Sequence, residues 1–288
     1  NAADANSTDF LYTDQIEFDS GVNLQKVALV TLVKDAIFLF PKRLPNGSKE
    51  MIPVGNKTVE GFYLDDSQLH FTNQKAYVVY GYAGVPSGKI AIFDAGARVY
   101  FHANSGLIVG NNASIQINGS SSSTNQLENE VVFQGDRLQS DYDNVPGQWE
   151  TVWLNEGATN NIINHLTIKN ASIGLLIQNN NGTDVSIKNT QIYNSTHYGI
   201  LAQNGKITAE NLVINNAGEA ALACEYGGNY TFTHCTFNNN WNSSNQMAVT
   251  LSNYKLGAVP ETNALSKATF NNCIIYGTYS NELELNKK

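Results

Sequence analysis

The segment from Asp136 to Glu150 carries the densest set of side chains that can do chemistry. Its members are the acidic residues Asp136, Asp141, Asp143 and Glu150, the basic residue Arg137, and the aromatic residues Tyr142 and Trp149. Carboxylates act as acids and bases in glycan cleavage, and aromatic rings beside polar groups are typical of ligand pockets. The segment therefore predicts a long loop that binds a ligand or a partner. A structural alternative is equally open: Asp136 pairs with Arg137, and Trp149 plugs the core.

Acid–base catalysis on a repeated scaffold needs carboxylates that recur on neighbouring coils of one face. Downstream of the loop, Glu219 and Glu225 are isolated among Asn, Thr, Gln and Ser. The sequence therefore favours a protein that is not an enzyme, and no catalytic residue is assigned. A polysaccharide lyase or glycoside hydrolase that works from the loop is the alternative.

The histidines and cysteines do not have the spacing of a metal site. His165 and His234 occupy equivalent positions three repeats apart, roughly 14 Å at the strand spacing of a sheet, and His197 has no acidic neighbour in sequence. The chain has three cysteines without a CxxC pair. We expect no metal and no cofactor.

Charge excludes one class of partner. Seventeen Lys and Arg stand against 25 Asp and Glu, for a formal net charge of −8. Since no run of basic residues reverses this balance, nucleic acid is not an expected partner.

The elements that would position these residues follow a repeat. One apolar position, two residues before Asn or Gly, recurs at Ile168, Ile192, Ile214, Phe237 and Ile275. The spacing is about 22 residues, with one long insertion before the last member, and each repeat holds three short strand-like segments without a helical pattern. This pattern predicts an all-β fold, a right-handed parallel β-helix (a solenoid) over residues 77–288.

Side chains alternate along a strand, so the motif "NHLTIKN" predicts which groups face the core. Leu166 and Ile168 should point inward, and His165 and Thr167 outward, His165 without a partner in reach. Two residues after the repeated apolar position stands a column of asparagines that can hydrogen-bond at a tight corner. We interpret this column as a structural ladder of Asn170, Asn194, Asn216 and Asn239. Binding of sugar hydroxyls by such a column is the functional alternative.

The first quarter of the chain differs from the rest. Residues 1–20 are polar and predict a flexible leader, a tether. Residues 21–76 alternate strand-like segments with turns and predict a small β-rich N-terminal unit, in which Pro45–Gly47 forms a hairpin turn.

Much of the chain also resembles a known family. The segments "YVVYGYAGVPSGKIAIFDAGARVYF", "FQGDRL", "VPGQWETVWL", "GGNYTFTHCTFNNNW" and "ATFNNCIIYG" are similar to secreted lipoproteins of Bacteroidota, especially flavobacteria, that are right-handed parallel β-helix proteins of unknown function. The resemblance covers about Tyr77 to Gly277. Glu150 departs from it, because a small Gly commonly follows the tryptophan in that family. The resemblance implies a signal peptide and a lipidated Cys upstream of Asn1, but it supplies no catalytic residue.

Together these observations predict a non-enzymatic, surface-exposed β-helix lipoprotein that acts as a binding or scaffold subunit. Its expected partners are other outer-membrane or cell-surface proteins, or polysaccharide. Its expected location is the outer membrane or cell surface through a lipid anchor, or secretion. The alternative is a β-helix protein that binds or cleaves polysaccharide.

Overall fold

The computed structural model describes residues 9–19, 21, 23–180, 182–241, 246–255 and 260–288. The described chain is all-β, with two short 3-10 turns at Asp66–Gln68 and Ser140–Tyr142. The strands of the first half are β1 (Asp9–Asp19), β2 (Leu24–Lys34), β3 (Ala36–Leu39), β4 (Met51–Val54), β5 (Lys57–Tyr63), β6 (His70–Phe71), β7 (Ala76–Val79), β8 (Tyr82–Val85), β9 (Ile90–Asp94), β10 (Arg98–Phe101), β11 (Gly106–Val109), β12 (Ser114–Asn118) and β13 (Val131–Gly135). Those of the second half are β14 (Trp149–Leu154), β15 (Ile162–Asn164), β16 (Leu166–Lys169), β17 (Ala171–Gln178), β18 (Val185–Ser195), β19 (Tyr198–Ala217), β20 (Ala220–Thr233), β21 (Thr236–Asn239), β22 (Met247–Ser252), β23 (Tyr254–Lys255), β24 (Glu261–Thr262), β25 (Leu265–Asn271), β26 (Ile274–Gly277) and β27 (Leu283–Asn286).

Most of these strands belong to one large, curled sheet in which parallel pairs dominate. The parallel pairs join strands one repeat apart and fall into three ladders. Ladder A runs through β7, β10, β13, β16, β18, β19, β21 and β26. Ladder B runs through β5, β8, β11, β14, β17, β19, β20, β22 and β27. Ladder C runs through β6, β9, β12, β15, β18, β19, β20 and β25.

The predicted repeat is confirmed by the register of ladder A. Ile168 pairs with Ile192, and Ile192 with Ile214. The same column continues through Phe237 to Ile275. The 38-residue interval before Ile275 therefore keeps the register, and its extra residues include the antiparallel pair of β23 and β24.

The core lies between the ladders and is apolar. Leu166 and Ile168 are fully buried, as predicted, and they belong to a single cluster with side chains from all three ladders. Aromatic rings stack within it, Phe71 on Phe93 at 4.3 Å and Phe232 on Phe270 at 5.1 Å between centroids. Burial of such rings, together with the aliphatic side chains of the core, stabilises the sheet.

The prediction that Thr167 is an exposed, outward residue is wrong. Thr167 is fully buried. Its Oγ1 donates a hydrogen bond of 2.6 Å to Oε2 of Glu130, which precedes β13. Alternation along a strand gives the direction of a side chain, whereas burial also depends on what covers the outer face.

The corners between ladders use left-handed backbone, which only glycine and, to a lesser degree, asparagine adopt readily. The non-glycine residues with positive φ are mostly asparagines, and from His165 onward they form one column per corner. Between ladders A and B the column is Asn170, Asn194 and Asn216, between B and C it is Asn179, Asn204 and Tyr226, and between C and A it is His165, Asn189, Asn211, His234 and Asn272.

The N-terminal part of the chain is divided differently from the prediction. The chain separates into two compact units, 1–37 and 38–288. Within the predicted leader, Asp9–Asp19 form strand β1, which pairs antiparallel with β2 over 11 residues, and residues 1–8 lie outside the described part. Of the predicted N-terminal unit, Leu24–Lys34 pair with β1 in a separate two-stranded sheet. Its later strands join the large sheet, because Gly61 pairs with Tyr82 and His70 with Ile92. The predicted turn at Pro45–Gly47 is present, closed by the Gly47 N–H on the Leu44 carbonyl at 2.9 Å.

The antiparallel hairpin β4–β5 folds over the outer face of ladder B. Ile52 and Val54 are buried there against Ile108, with Tyr82 and Trp153 packed around them. Gly84 makes this contact possible, because a Cβ on it would lie 2.8 Å from the Ile52 side chain. The outer face of ladder B is thus a surface on which another segment docks.

Candidate binding grooves

The predicted loop does not bring its acids together. Asp136 pairs with His102 across one repeat, Oδ2 to Nδ1 at 2.7 Å, and not with Arg137. The Arg137 guanidinium lies over the Tyr142 ring, 4.9 Å from its centroid. Asp141 and Asp143 are exposed, and Glu150 is half-buried at the start of β14.

Trp149 is a core residue, which corrects its assignment to a ligand loop. Its side chain is 1 % exposed and stacks on Phe101 with 4.4 Å between ring centroids. Its indole Nε1 donates to the Lys169 carbonyl at 2.8 Å. Of the structural alternative, the position of Trp149 in the core is confirmed, whereas the pair of Asp136 with Arg137 is wrong.

The loop is instead held against the corner between ladders A and B. Asn170 Nδ2 donates to the carbonyls of Asp143 and Tyr142 at 3.0 and 3.3 Å. Gln148 Nε2 donates to the carbonyls of Tyr142 and Val145. These bonds satisfy loop backbone, so the first asparagine of the predicted ladder anchors the loop.

The remaining asparagines of that ladder make two kinds of bond. Asn216 donates to Asn194, Nδ2 to Oδ1 at 2.8 Å, which is the predicted link between side chains. Asn239 bonds to backbone: it donates to the Ala217 carbonyl and accepts from the Ala217 N–H. Its backbone is not left-handed, in contrast to Asn170, Asn194 and Asn216.

Three histidines pair with a carboxylate one repeat away, which sequence reasoning missed. His70 meets Asp94 at 2.8 Å and His197 meets Glu219 at 2.6 Å, in addition to the pair at His102. His165 also has a partner, since its Nε2 lies 3.1 Å from the Ser121 hydroxyl. A search for acids 22 to 24 residues away would have found the pairs of His70 and His197, but not that of His102, whose partner lies 34 residues away.

Two elongated grooves cross several repeats. The first, of about 1080 Å³, follows the corner between ladders B and C, and we call it the corner groove. Its lining is rich in Asn and Gly, with Glu156, Lys206 and Tyr226. Lys206 Nζ lies 3.4 Å from Asp184, and the Tyr226 hydroxyl donates to Glu261 at 3.3 Å.

The asparagines of the corner groove are of two kinds. Asn179 and Asn204 have left-handed backbone, and their side chains are hydrogen-bonded to each other at 2.8 Å. Backbone conformation and this bond therefore explain why asparagine stands at these two positions. Asn111, Asn155 and Asn229 are not left-handed, and their carboxamides make no hydrogen bond to any described residue. The backbone therefore does not require these three amides, and their donors and acceptors are available to a ligand.

The second groove, of about 920 Å³, lies on the outer face of ladder B, and we call it the face groove. At its rim Glu219 accepts hydrogen bonds from Tyr198 and His197. Burial acts to raise the pKa of Glu219, but these two hydrogen bonds outweigh it and the pKa lies below its ordinary value. Burial, and then the bond to Glu219, raise the pKa of Tyr198 far above its ordinary value, so the phenol stays protonated and donates.

A chain of side-chain hydrogen bonds runs into the face groove across four repeats. Trp153 donates to Gln178 at 2.8 Å, and Gln178 to Gln203 at 2.7 Å. Gln203 donates to Glu225 at 3.2 Å. These outward groups are oriented before any ligand arrives.

Among the described residues, no group of three His, Cys, Asp or Glu side chains is placed to hold a metal ion. Nor does the described chain contain a helix long and apolar enough to cross a membrane. The chain matches no family model, no curated protein and no solved structure. What the fold defines is an all-β chain built on a large, curled, mainly parallel sheet.

Proposed function

We propose that the protein is a non-enzymatic binding protein that holds a neutral polysaccharide along the corner groove. The finer architecture we propose is a closed right-handed parallel β-helix, because every strand of a ladder pairs with the strand one repeat away. A closed solenoid presents its corners as long, rigid edges suited to a polymer.

The observation that carries the proposal is the set of unbonded carboxamides in the corner groove. Asn111, Asn155 and Asn229 span four strand spacings, about 19 Å. Each offers both a donor and an acceptor, which is what a sugar hydroxyl requires. Lys206 already lies 3.4 Å from Asp184, and Glu156 adds a negative charge, so the groove has no free positive charge and a neutral glycan is favoured over an anionic one.

We further propose that the protein is displayed at the cell surface through a lipid anchor, as a binding subunit beside other outer-membrane proteins. This part rests on the resemblance to Bacteroidota lipoproteins. Globomycin, which blocks lipoprotein signal processing, would cause a precursor to accumulate in the native host if the anchor exists. A mature form unaffected by the drug would contradict it.

The binding proposal is tested by affinity electrophoresis in gels that contain neutral polysaccharides, with alginate and pectate as anionic counterparts. The double variant Asn155→Ala/Asn229→Ala should weaken retardation at least tenfold, since each lost hydrogen bond contributes about 1 kcal/mol. Asn240→Ala, an exposed asparagine outside the groove, is the matched control. Equal retardation of both variants would refute the site, and release of reducing ends or unsaturated products would refute the non-enzymatic part.

A further inference from the structure

The face groove differs in chemistry from the corner groove and has no role in the proposed function. It lies on the outer face of ladder B, the same face on which the hairpin β4–β5 docks through Ile52 and Val54. That contact shows that this face receives an extended segment through apolar side chains. The face groove is a further part of the same face, five repeats along.

The surfaces of the face groove include aromatic and flexible apolar side chains. Tyr198, Met247 and Tyr254 are half-buried and line it. Methionine adapts its shape to different partners, and tyrosine rings accept both aliphatic chains and cations. Such a surface suits the long aliphatic stems of Lys and Arg.

The charge of the face groove is negative. Glu219, Glu225 and Glu284 line it, and Lys255 is its basic residue. Lys255 is already neutralised by Glu261 at 2.8 Å, with its ammonium over the Tyr226 ring. Glu219 already accepts from His197 and Tyr198, so Glu225 and Glu284 are the carboxylates that face a ligand without a basic partner among the described residues.

The spacing of two of these acids matches an extended peptide. Ala223 pairs with Thr250 on the next strand, and Thr250 pairs with Glu284 on the one after. Glu284 is thus in register with Ala223, which precedes Glu225 by two residues. Glu225 and Glu284 are therefore two strand spacings and two residues apart, about 12 Å between Cα atoms. Side chains four residues apart on one face of an extended peptide are about 13 Å apart.

We propose that the face groove docks an extended peptide segment of a partner protein that carries Lys or Arg at alternate positions. The ammonium or guanidinium groups pair with Glu225 and Glu284, and their stems pack on Tyr198 and Met247. The argument is charge complementarity on a face that already receives a chain segment, and it does not depend on glycan binding in the corner groove.

The test is isothermal titration of the full chain with a decapeptide of alternating Lys and Thr, with alternating Glu and Thr as the counterpart. We expect the basic peptide alone to bind, and Glu225→Gln/Glu284→Gln to weaken it at least tenfold. Glu156→Gln, an exposed acid of the corner groove, should change affinity less than twofold.

Four outcomes would overturn the proposal: no binding of the basic peptide, equal binding of the acidic one, equal affinity in the double variant, or displacement of the peptide by equimolar spermine. The last would identify a small polycation as the occupant. If the double variant has a lowered melting temperature, the salt dependence of peptide binding to the wild type becomes the test. Its affinity must then fall at least tenfold between 50 and 300 mM salt, and salt-independent binding would refute the pairing of charges.

Discussion

The corner groove and the face groove share the repeats of β19 and β20 but differ in what determines their residues. The corner groove follows a bend whose left-handed backbone requires residues such as Asn204 and Gly228. The face groove is formed by outward strand positions, where the backbone accepts any side chain. An asparagine with left-handed backbone at a corner is therefore weak evidence for a ligand, whereas Glu225 on a strand face is stronger evidence, because the fold does not demand it.

The largest expected effect is at a corner glycine. Gly228 has φ +120°, and a Cβ there would overlap the Tyr230 hydroxyl and the Gly205 carbonyl. We expect Gly228→Ala to lower the free energy of unfolding by about 3 kcal/mol. Denaturant unfolding followed by circular dichroism measures it.

Gly182→Ala is the matched control for that prediction. Gly182 also has positive φ, but nothing lies within 4 Å of a Cβ on it. It should cost about 1 kcal/mol, from backbone strain alone. Equal losses in the two variants would contradict the distinction between strain and overlap.

A corner asparagine should show a smaller, two-part effect. Asn204 is left-handed and donates to Asn179 at 2.8 Å. Asn204→Ala should cost about 2 kcal/mol, since it loses the hydrogen bond and strains the backbone, while Asn204→Gly should cost about 1 kcal/mol. If glycine costs as much as alanine in urea unfolding, the backbone is not what selects asparagine at this corner.

An outward strand residue should have a smaller effect still. Gln203 accepts from Gln178 and donates to Glu225 on a half-buried face. We expect Gln203→Ala to lower the free energy of unfolding by about 1 kcal/mol, since it loses two hydrogen bonds of about 0.5 kcal/mol each on a face that water reaches. A loss as large as that of Asn204→Ala would show that strand-face residues are structural too.

The smallest effect concerns pH. Because the pKa of Glu219 in the folded chain lies below its unfolded value of about 4.3, its contribution is complete above that value and disappears as pH falls through the folded pKa. We expect Glu219→Gln to flatten the acid limb of stability against pH below about pH 5. Thermal melts from pH 7 to pH 3 measure it, and parallel curves for variant and wild type would contradict the assignment.

The repeat was predictable from the sequence because it depends only on the spacing of apolar residues along the chain. Apolar residues about 22 positions apart place Ile168, Ile192 and Ile214 in one column whatever the rest of the chain does. The same spacing places the corner asparagines Asn194 and Asn216 one above the other, and the predicted hydrogen bond between their side chains is present. The long insertion before Ile275 changed the interval without changing the register.

The sites were much less predictable. The Asp136–Glu150 segment suggested a ligand loop because its composition is polar, but a polar composition does not show which groups meet. The two grooves gather residues from four or more repeats, and the available amides Asn111, Asn155 and Asn229 differ from the structural ones only in backbone conformation and bonding.

By itself the sequence determined the strand-rich repeat, its period, and the inward direction of Leu166 and Ile168, because these depend on side-chain alternation and spacing. The tertiary structure decided which carboxylate meets which histidine, that Trp149 stacks on Phe101, and that Glu130 covers Thr167. Those contacts join residues 22 to 48 positions apart across repeats of unequal length. Unequal repeats leave the offset between partners open until the strands have paired, so contacts such as that between His102 and Asp136, 34 residues apart, cannot be predicted from a fixed period.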